Sequence, residues 1–218
     1  MPADDNIDNI FHILNDEIKQ WKIPAVTLIS KKRSPFQILV SCIISLRTKD
    51  EVTGNASRKL YAIADCPKEI SGLSEEQIAE AIYPAGFYRQ KAKQILAISK
   101  DLLNNYDSVV PDSIEELLKF NGVGRKTANL VVTLGFGKPG ICVDIHVHRI
   151  TNRWGYVETK TPDSTEFALR QKLPEKYWIP INDILVTFGQ NICTPISPHC
   201  SRCKIHSYCQ RSGVDKSR

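Results

Sequence analysis

The sequence predicts an all-α protein, and three observations carry that reading. Apolar residues recur at spacings of three and four through most of the chain. Several segments open on capping residues of the kind that start helices. The two mildly strand-like runs, Val109-Val110 and Ile141-Cys142-Val143, are too short to build a sheet.

Taken in order, Ile7, Ile10, Phe11, Leu14 and Ile18 make one apolar helix stripe. Ser34-Pro35 reads as N-cap and first helical residue, opening the apolar run from Phe36 to Leu46. Ser74 with Gln77, and Ser113 with Glu116, are spaced as capping boxes. Between them, Lys91 to Leu103 keeps Ile95, Leu96, Ile98, Leu102 and Leu103 in helical register. Further starts follow Pro162-Asp163 and lie near Pro180-Ile181-Asn182-Asp183. This amounts to about ten helices joined by short Gly-, Pro- and Asn-rich segments. No low-complexity linker or internal repeat divides them, so any domain boundary is a packed one.

The chain has 218 residues, of which 42% are hydrophobic and 24% charged, enough for one large domain or two small ones with a proper core. Lys and Arg outnumber Asp and Glu by 29 to 24, a mild excess that fits a polyanion partner without establishing one. No apolar run approaches the roughly 20 residues of a membrane span. The start, Met1 to Asp8, is acidic and has no apolar core, so neither a secretory signal nor a transit peptide is expected. A protein that stays in the cytoplasm, where it is made, is expected. In that compartment seven cysteines do not make a disulfide framework, and the scattered Cys42, Cys66 and Cys142 read as reduced structural thiols.

The segment from Ile114 to Leu134 reads helix, tight turn, helix. Its first helix should end near Lys119-Phe120, Asn121-Gly122-Val123-Gly124 supplies the turn, and the second helix begins at Arg125 or Lys126. Glycine allows positive φ and close approach of a ligand to the backbone. The free N–H groups and positive end of the following helix make a phosphate seat that grips backbone rather than bases. The helix–hairpin–helix DNA-binding element looks like this. A nucleotide P-loop fits poorly, because the spacing is wrong and no strand precedes it.

By itself Lys126 reads as a phosphate-contacting lysine, and Asp144, 18 residues on, as the N-cap of the next helix. Near the C-terminus Cys193, Cys200, Cys203 and Cys209 follow a C-x6-C-x2-C-x5-C pattern. Four thiolates at that spacing can hold zinc or a [4Fe–4S] cluster, and ligand chemistry alone favours zinc.

In combination, G-V-G-R-K-T-A, then V-D-x-H-x-x-R, then the four cysteines resemble the endonuclease III family of DNA glycosylase/AP lyases. The three motifs occupy Asn121 to Cys209, and the upstream helical pattern also fits. The resemblance implies two helical domains, residues 26–137 with the hairpin and residues 1–25 plus 138–218 with the cluster, and DNA in the cleft between them. It makes Lys126 the nucleophile that expels a damaged base and forms a Schiff base, with Asp144 assisting base departure. It turns the cysteine site into a [4Fe–4S] cluster that pins a loop. A helix N-terminus and the adjacent Arg125 would both disfavour the ammonium form of Lys126, as the chemistry requires.

Gly122, Val123, Gly124, Arg125, Thr127 and His146 are the expected DNA contacts by the same resemblance. Ser45 to Asp50, with Arg47 where many relatives carry Gln, resembles the loop that probes the hole left by the extruded base. Gly86 to Lys91 resembles the loop that wedges the partner strand, with Phe87 at its tip; otherwise Phe87 simply packs in a helix turn. Thr194 to His199 has no Lys or Arg, so Arg202, Lys204 and Arg211 are expected to take phosphate contacts there. The expected partner is double-stranded DNA bearing damaged pyrimidines or abasic sites, bound by a monomer. The alternatives are a monofunctional mismatch or uracil glycosylase, a non-enzymatic DNA-binding module, and a zinc-dependent regulator. Lys126 and the lack of a carboxylate from Leu39 to Leu46 weigh against the first. Lys126 together with Asp144 weighs against the second.

Overall fold

The computed structural model describes residues 5–21, 26–27 and 33–218, and among these residues there are helices and no strands. The chain divides into two compact units, Met1–Pro24 with Ile141–Arg218, and Ala25–Gly140. The segment expected to carry the first domain boundary, residues 22–25, lies outside the described residues. Residues 137–140 fall with the Ala25–Gly140 unit because they fold back on it. Gly137 and Lys138 donate to Thr133 and Val132 carbonyls, and Lys138 pairs with Asp112 at 2.7 Å.

The Ala25–Gly140 unit is built around α2, Pro35–Ser45, whose residues from Phe36 to Ile44 are all buried. A helix apolar on every side belongs in a core. Its start is the expected capping box between Ser34 and Gln37, with Pro35 at N1. Around it pack α3 (Asp50–Tyr61), α6 (Tyr88–Asn105) and α8 (Arg125–Leu130). Helices α4 (Pro67–Ser71) and α5 (Glu75–Ile82) pack on α6. The Ser74–Gln77 box caps α5 as expected. Ile95, Leu96, Ile98 and Leu102 of α6 are buried, but Leu103, expected on the same stripe, is 39% exposed. It lies past the edge of an arc set by the 3.6-residue period.

The other unit collects α1 (Ile7–Ile18), α9 (Ile145–Trp154), α10 (Pro162–Lys172) and α11 (Ile181–Asn191) around Ile10, Phe11, Val147, Ile150, Trp154, Leu185 and Phe188. Phe11 stacks on Tyr177 with ring centroids 4.0 Å apart, and Tyr177 hydrogen-bonds Asp8 at 2.7 Å. Truncating any of the fully buried Leu or Ile side chains costs about 2–5 kcal/mol. Among the described residues no helix is long and apolar enough to cross a membrane.

Candidate functional site

The hairpin lies wholly in the Ala25–Gly140 unit. Its first helix, α7, is shorter than expected, Ile114–Leu117, and continues only as turns. Ser113 caps it by accepting from the Glu116 N–H, but the reciprocal half of the box is missing. The Glu116 carboxylate is taken by Lys119 and Tyr106 instead. Gly122 has φ +76, which favours glycine; a Cβ there would lie 2.5 Å from the Gln94 amide, a flexible side-chain end that can move aside. Gly124 is extended, at φ −93 and ψ 174, and caps α8; a Cβ built on it meets nothing within 4 Å.

Lys126, second residue of α8, is exposed. Its charge reaches the buried Cys42 thiol of α2: burial pushes that thiol up to about 12, and Lys126 acts in the opposite direction. At two of the expected contacts, Thr127 and Val123, the side chains are 3% and 5% exposed and belong to the core. The α8 turn carries its apolar face at these positions, which leaves only their backbone groups for a phosphate. Behind Lys126 the helix widens into a π turn, Val131–Gly135. Thr133 bonds back to the Asn129 carbonyl at 2.8 Å, and Gly140 fits so closely that a Cβ would meet Asn129 and Thr133 at 3.0 Å. Such widened turns mark functional segments often enough to be noted. Nothing in the local sequence announced it.

Arg47 and Phe87 are both exposed, and both have positive φ, 52° and 58°. The Arg47 guanidinium lies 5.6 Å from the Phe87 ring centroid. Phe87 is 55% exposed at the start of α6, so it does not pack inside a helix turn.

In the other unit, Asp144 is the N-cap of α9. Its Oδ1 accepts from the backbone N–H groups of His146 at 2.8 Å and Val147 at 2.9 Å. Asp144 is thereby held with its carboxylate at the positive end of a ten-residue helix. His146 follows on α9, half-buried, with Nδ1 3.1 Å from Arg149.

All seven cysteines are free thiols. Cys193, Cys200, Cys203 and Cys209 line one concavity with Trp154 and Ile205. Burial pushes the Cys203 thiol up to about 12, and the other three sulfurs add to that rise, so the four share one electrostatic neighbourhood. Among the described residues, the one group of His, Cys, Asp or Glu with three ligand atoms mutually within 4.8 Å is Asp65, Cys66 and Glu69. Four thiols lining one concavity make a donor set that either a zinc ion or a [4Fe–4S] cluster accepts.

Two arginines hold this loop to α9: Arg149, the last residue of the V-D-x-H-x-x-R motif, and Arg153, which sequence reasoning overlooked. Arg149 donates to the Cys193 carbonyl at 2.9 Å and to that of Gly189 at 3.3 Å. Arg153, only 8% exposed, reaches Cys193 Sγ at 3.4 Å and the carbonyls of Thr194 and Pro195 at 2.8 and 2.7 Å. The signal was there: Arg153 falls three residues after Ile150, beside Trp154, on the buried side of the helix. Lys204, expected on DNA phosphates, is engaged by Glu17 of α1. The Lys204 side chain is still 62% accessible in that pair, and Arg202 and Arg211 are exposed.

A family model for the HhH-GPD superfamily of base excision DNA repair proteins matches residues 40–175. Endonuclease III of Thermotoga maritima is 48% identical over 180 residues, covering 83% of this chain and 84% of that protein. Endonuclease III of Rickettsia conorii is 36% identical over 203 residues, covering 93% and 94%. The structure of a trapped endonuclease III–DNA covalent intermediate matches with a TM-score of 0.80 at 28% identity, covering 94% of this chain and 95% of that one. With hairpin, capped aspartate and cysteine loop all in place, the chain belongs to the HhH-GPD superfamily and, within it, to the endonuclease III family.

Proposed function

We propose that the protein is a bifunctional DNA glycosylase and AP lyase that removes oxidised pyrimidines from double-stranded DNA and cuts 3′ to the resulting site. The observation that carries this reading is an exposed lysine, Lys126, in the first turn after a glycine hairpin, in a chain of this family. The hairpin's backbone N–H groups seat a phosphate, which brings the adjacent sugar to the lysine. The damaged nucleotide must leave the stack, because its C1′ is inaccessible within the duplex.

The neutral Lys126 amine attacks C1′, and the N–C1′ bond forms as the glycosidic bond breaks. The base departs with the bonding electron pair and takes up a proton. Asp144, its carboxylate fixed by the two N–H groups it caps, stabilises the developing positive sugar or relays that proton. The amine sheds its own protons as the sugar opens to a Schiff base. Loss of a C2′ proton then expels the 3′ phosphate, and water releases the sugar remnant and restores the lysine.

The four cysteines are proposed to hold a [4Fe–4S] cluster. Membership of the endonuclease III family supports this over zinc, and the four thiols lining one concavity supply the donors. Neither base excision nor β-elimination is a redox step, so the cluster's contribution is to fix a loop that has little core of its own. The same reading has a monomer acting on damaged DNA in the cytoplasm, at the nucleoid.

A strand-nicking assay with site variants tests the assignment. Lys126→Ala should bind an abasic duplex and fail to cut it. Asp144→Asn should slow base release by about 10²-fold or more, the usual scale for a positioned proton-transfer group. Normal cutting by the Lys126→Ala protein would contradict the proposal.

A further inference from the structure

Arg47 and Phe87 sit on different loops of the same unit, and each has the left-handed backbone that non-glycine residues adopt at a cost. Such strain persists only where the surroundings over-determine it. One buried side chain supports both loops. Lys91, on α6 and 5% exposed, donates to the carbonyl of Ile44 at 2.7 Å, to that of Leu46 at 2.5 Å and to Thr48 Oγ1 at 2.8 Å. An ammonium has three N–H groups, and all three are used.

Thr48 Oγ1 also accepts from the backbone N–H of Gly86 at 3.0 Å, in the residue just before Phe87. Gly86 comes so close to the first loop that a Cβ on it would lie 2.5 Å from the Arg47 carbonyl oxygen. Glycine is needed here for approach rather than for φ. The contacts Lys91–Thr48–Gly86 therefore lock the two loops together, and their tips meet where Arg47 lies over the Phe87 ring.

A buried charge is an expensive way to fill space. Burial pushes the Lys91 ammonium down to about 8, which shows how far its surroundings disfavour the charge. A leucine or methionine would pack the same volume without that cost, but neither can bond three acceptors on a strained loop.

We infer that Lys91 is a positioning residue that sets Arg47 and Phe87 as one rigid pair, so that the base left unpaired by extrusion is read and its strand wedged together. The inference rests on the glycosylase reading and on Arg47 and Phe87 facing DNA. Its consequence is that Lys91 governs how strongly the reaction depends on the base opposite the lesion.

The test uses the whole protein with its metal centre loaded. Single-turnover borohydride trapping is measured on abasic duplexes with each of the four bases opposite, and on the same duplex with the facing nucleotide omitted. Without a partner base there is nothing for the paired tips to read. Lys91→Met should trap about tenfold or more slowly on the intact duplexes, since misplacing a contact by about 1 Å costs on the order of 10²-fold. Its rates opposite the four bases should converge, while its rate on the gapped duplex stays near wild type. Thr48→Val, which removes only the shared acceptor, should move the same way by less and serves if Lys91→Met does not fold. Equal losses on intact and gapped duplexes, or an unchanged spread among partner bases, overturn the inference and leave the enzyme assignment standing. A wild-type protein that traps on no duplex overturns the enzyme assignment, and this inference with it.

Discussion

Asp144 caps a helix and, under the proposed function, also assists base departure; substitution separates the two roles. Its Oδ1 caps α9, and asparagine caps a helix about as well as aspartate. Asp144→Asn should therefore melt like the wild type although it excises bases slowly. Asp144→Ala should lose both, with a stability deficit of about 0.5–2 kcal/mol seen in a thermal or denaturant melt. If the asparagine variant melted as low as the alanine variant, its slow excision would reflect a disturbed helix start rather than lost chemistry. Lys91 makes the complementary case: it touches no expected substrate atom, yet three of its hydrogen bonds shape a loop expected to do so. On the sequence it was visible as a lysine standing where the stripe Ile95, Ile98, Leu102 demands an apolar residue. A cation on a buried stripe is a signal that something polar waits in the core. What waits, two carbonyls at the end of α2 and a threonine, all more than 40 positions away, is long-range and cannot be read from spacing.

At the scale of elements, α9 carries both Asp144 at its start and Arg149 and Arg153 farther along. The two arginines tie the helix to Cys193 and the residues after it. Glycine at 189 lets α11 approach, since a Cβ there would lie 2.4 Å from His146 Nδ1. The cysteine loop itself contributes two 3-10 turns, Cys200–Arg202 and His206–Tyr208; it buries Ile205 in the core, with Tyr208 and three of the cysteines only partly buried against it. So small an apolar contribution leaves the loop dependent on what the thiols bind. The purified protein should be brown and contain iron and acid-labile sulfide. Cys200→Ser should bleach it and lower the melting temperature. Colourless protein loaded with zinc would overturn the cluster assignment.

Over the whole molecule, helix positions were the most legible feature. The stripe of α1 and the caps at Ser34 and Ser74 depend on residues within one or two turns, and local rules suffice there. The hairpin was legible as a motif because glycine and charge spacing express its geometry directly. Less legible was what the fold does with individual side chains. Thr127 lies in the motif and is buried by packing; Lys204 looks like a phosphate ligand and is claimed by Glu17 of a helix nearly 190 residues earlier. The length of α7 and the π turn after α8 likewise follow from tertiary contacts that override local propensity.

The central claim is that an amine of this chain attacks a sugar still carrying its damaged base. Borohydride trapping on a duplex with a single thymine glycol, beside an abasic duplex, tests it most directly. The account predicts a covalent adduct on both substrates and none on either with Lys126→Ala. Trapping on neither substrate by a wild-type protein with its metal centre intact would contradict it.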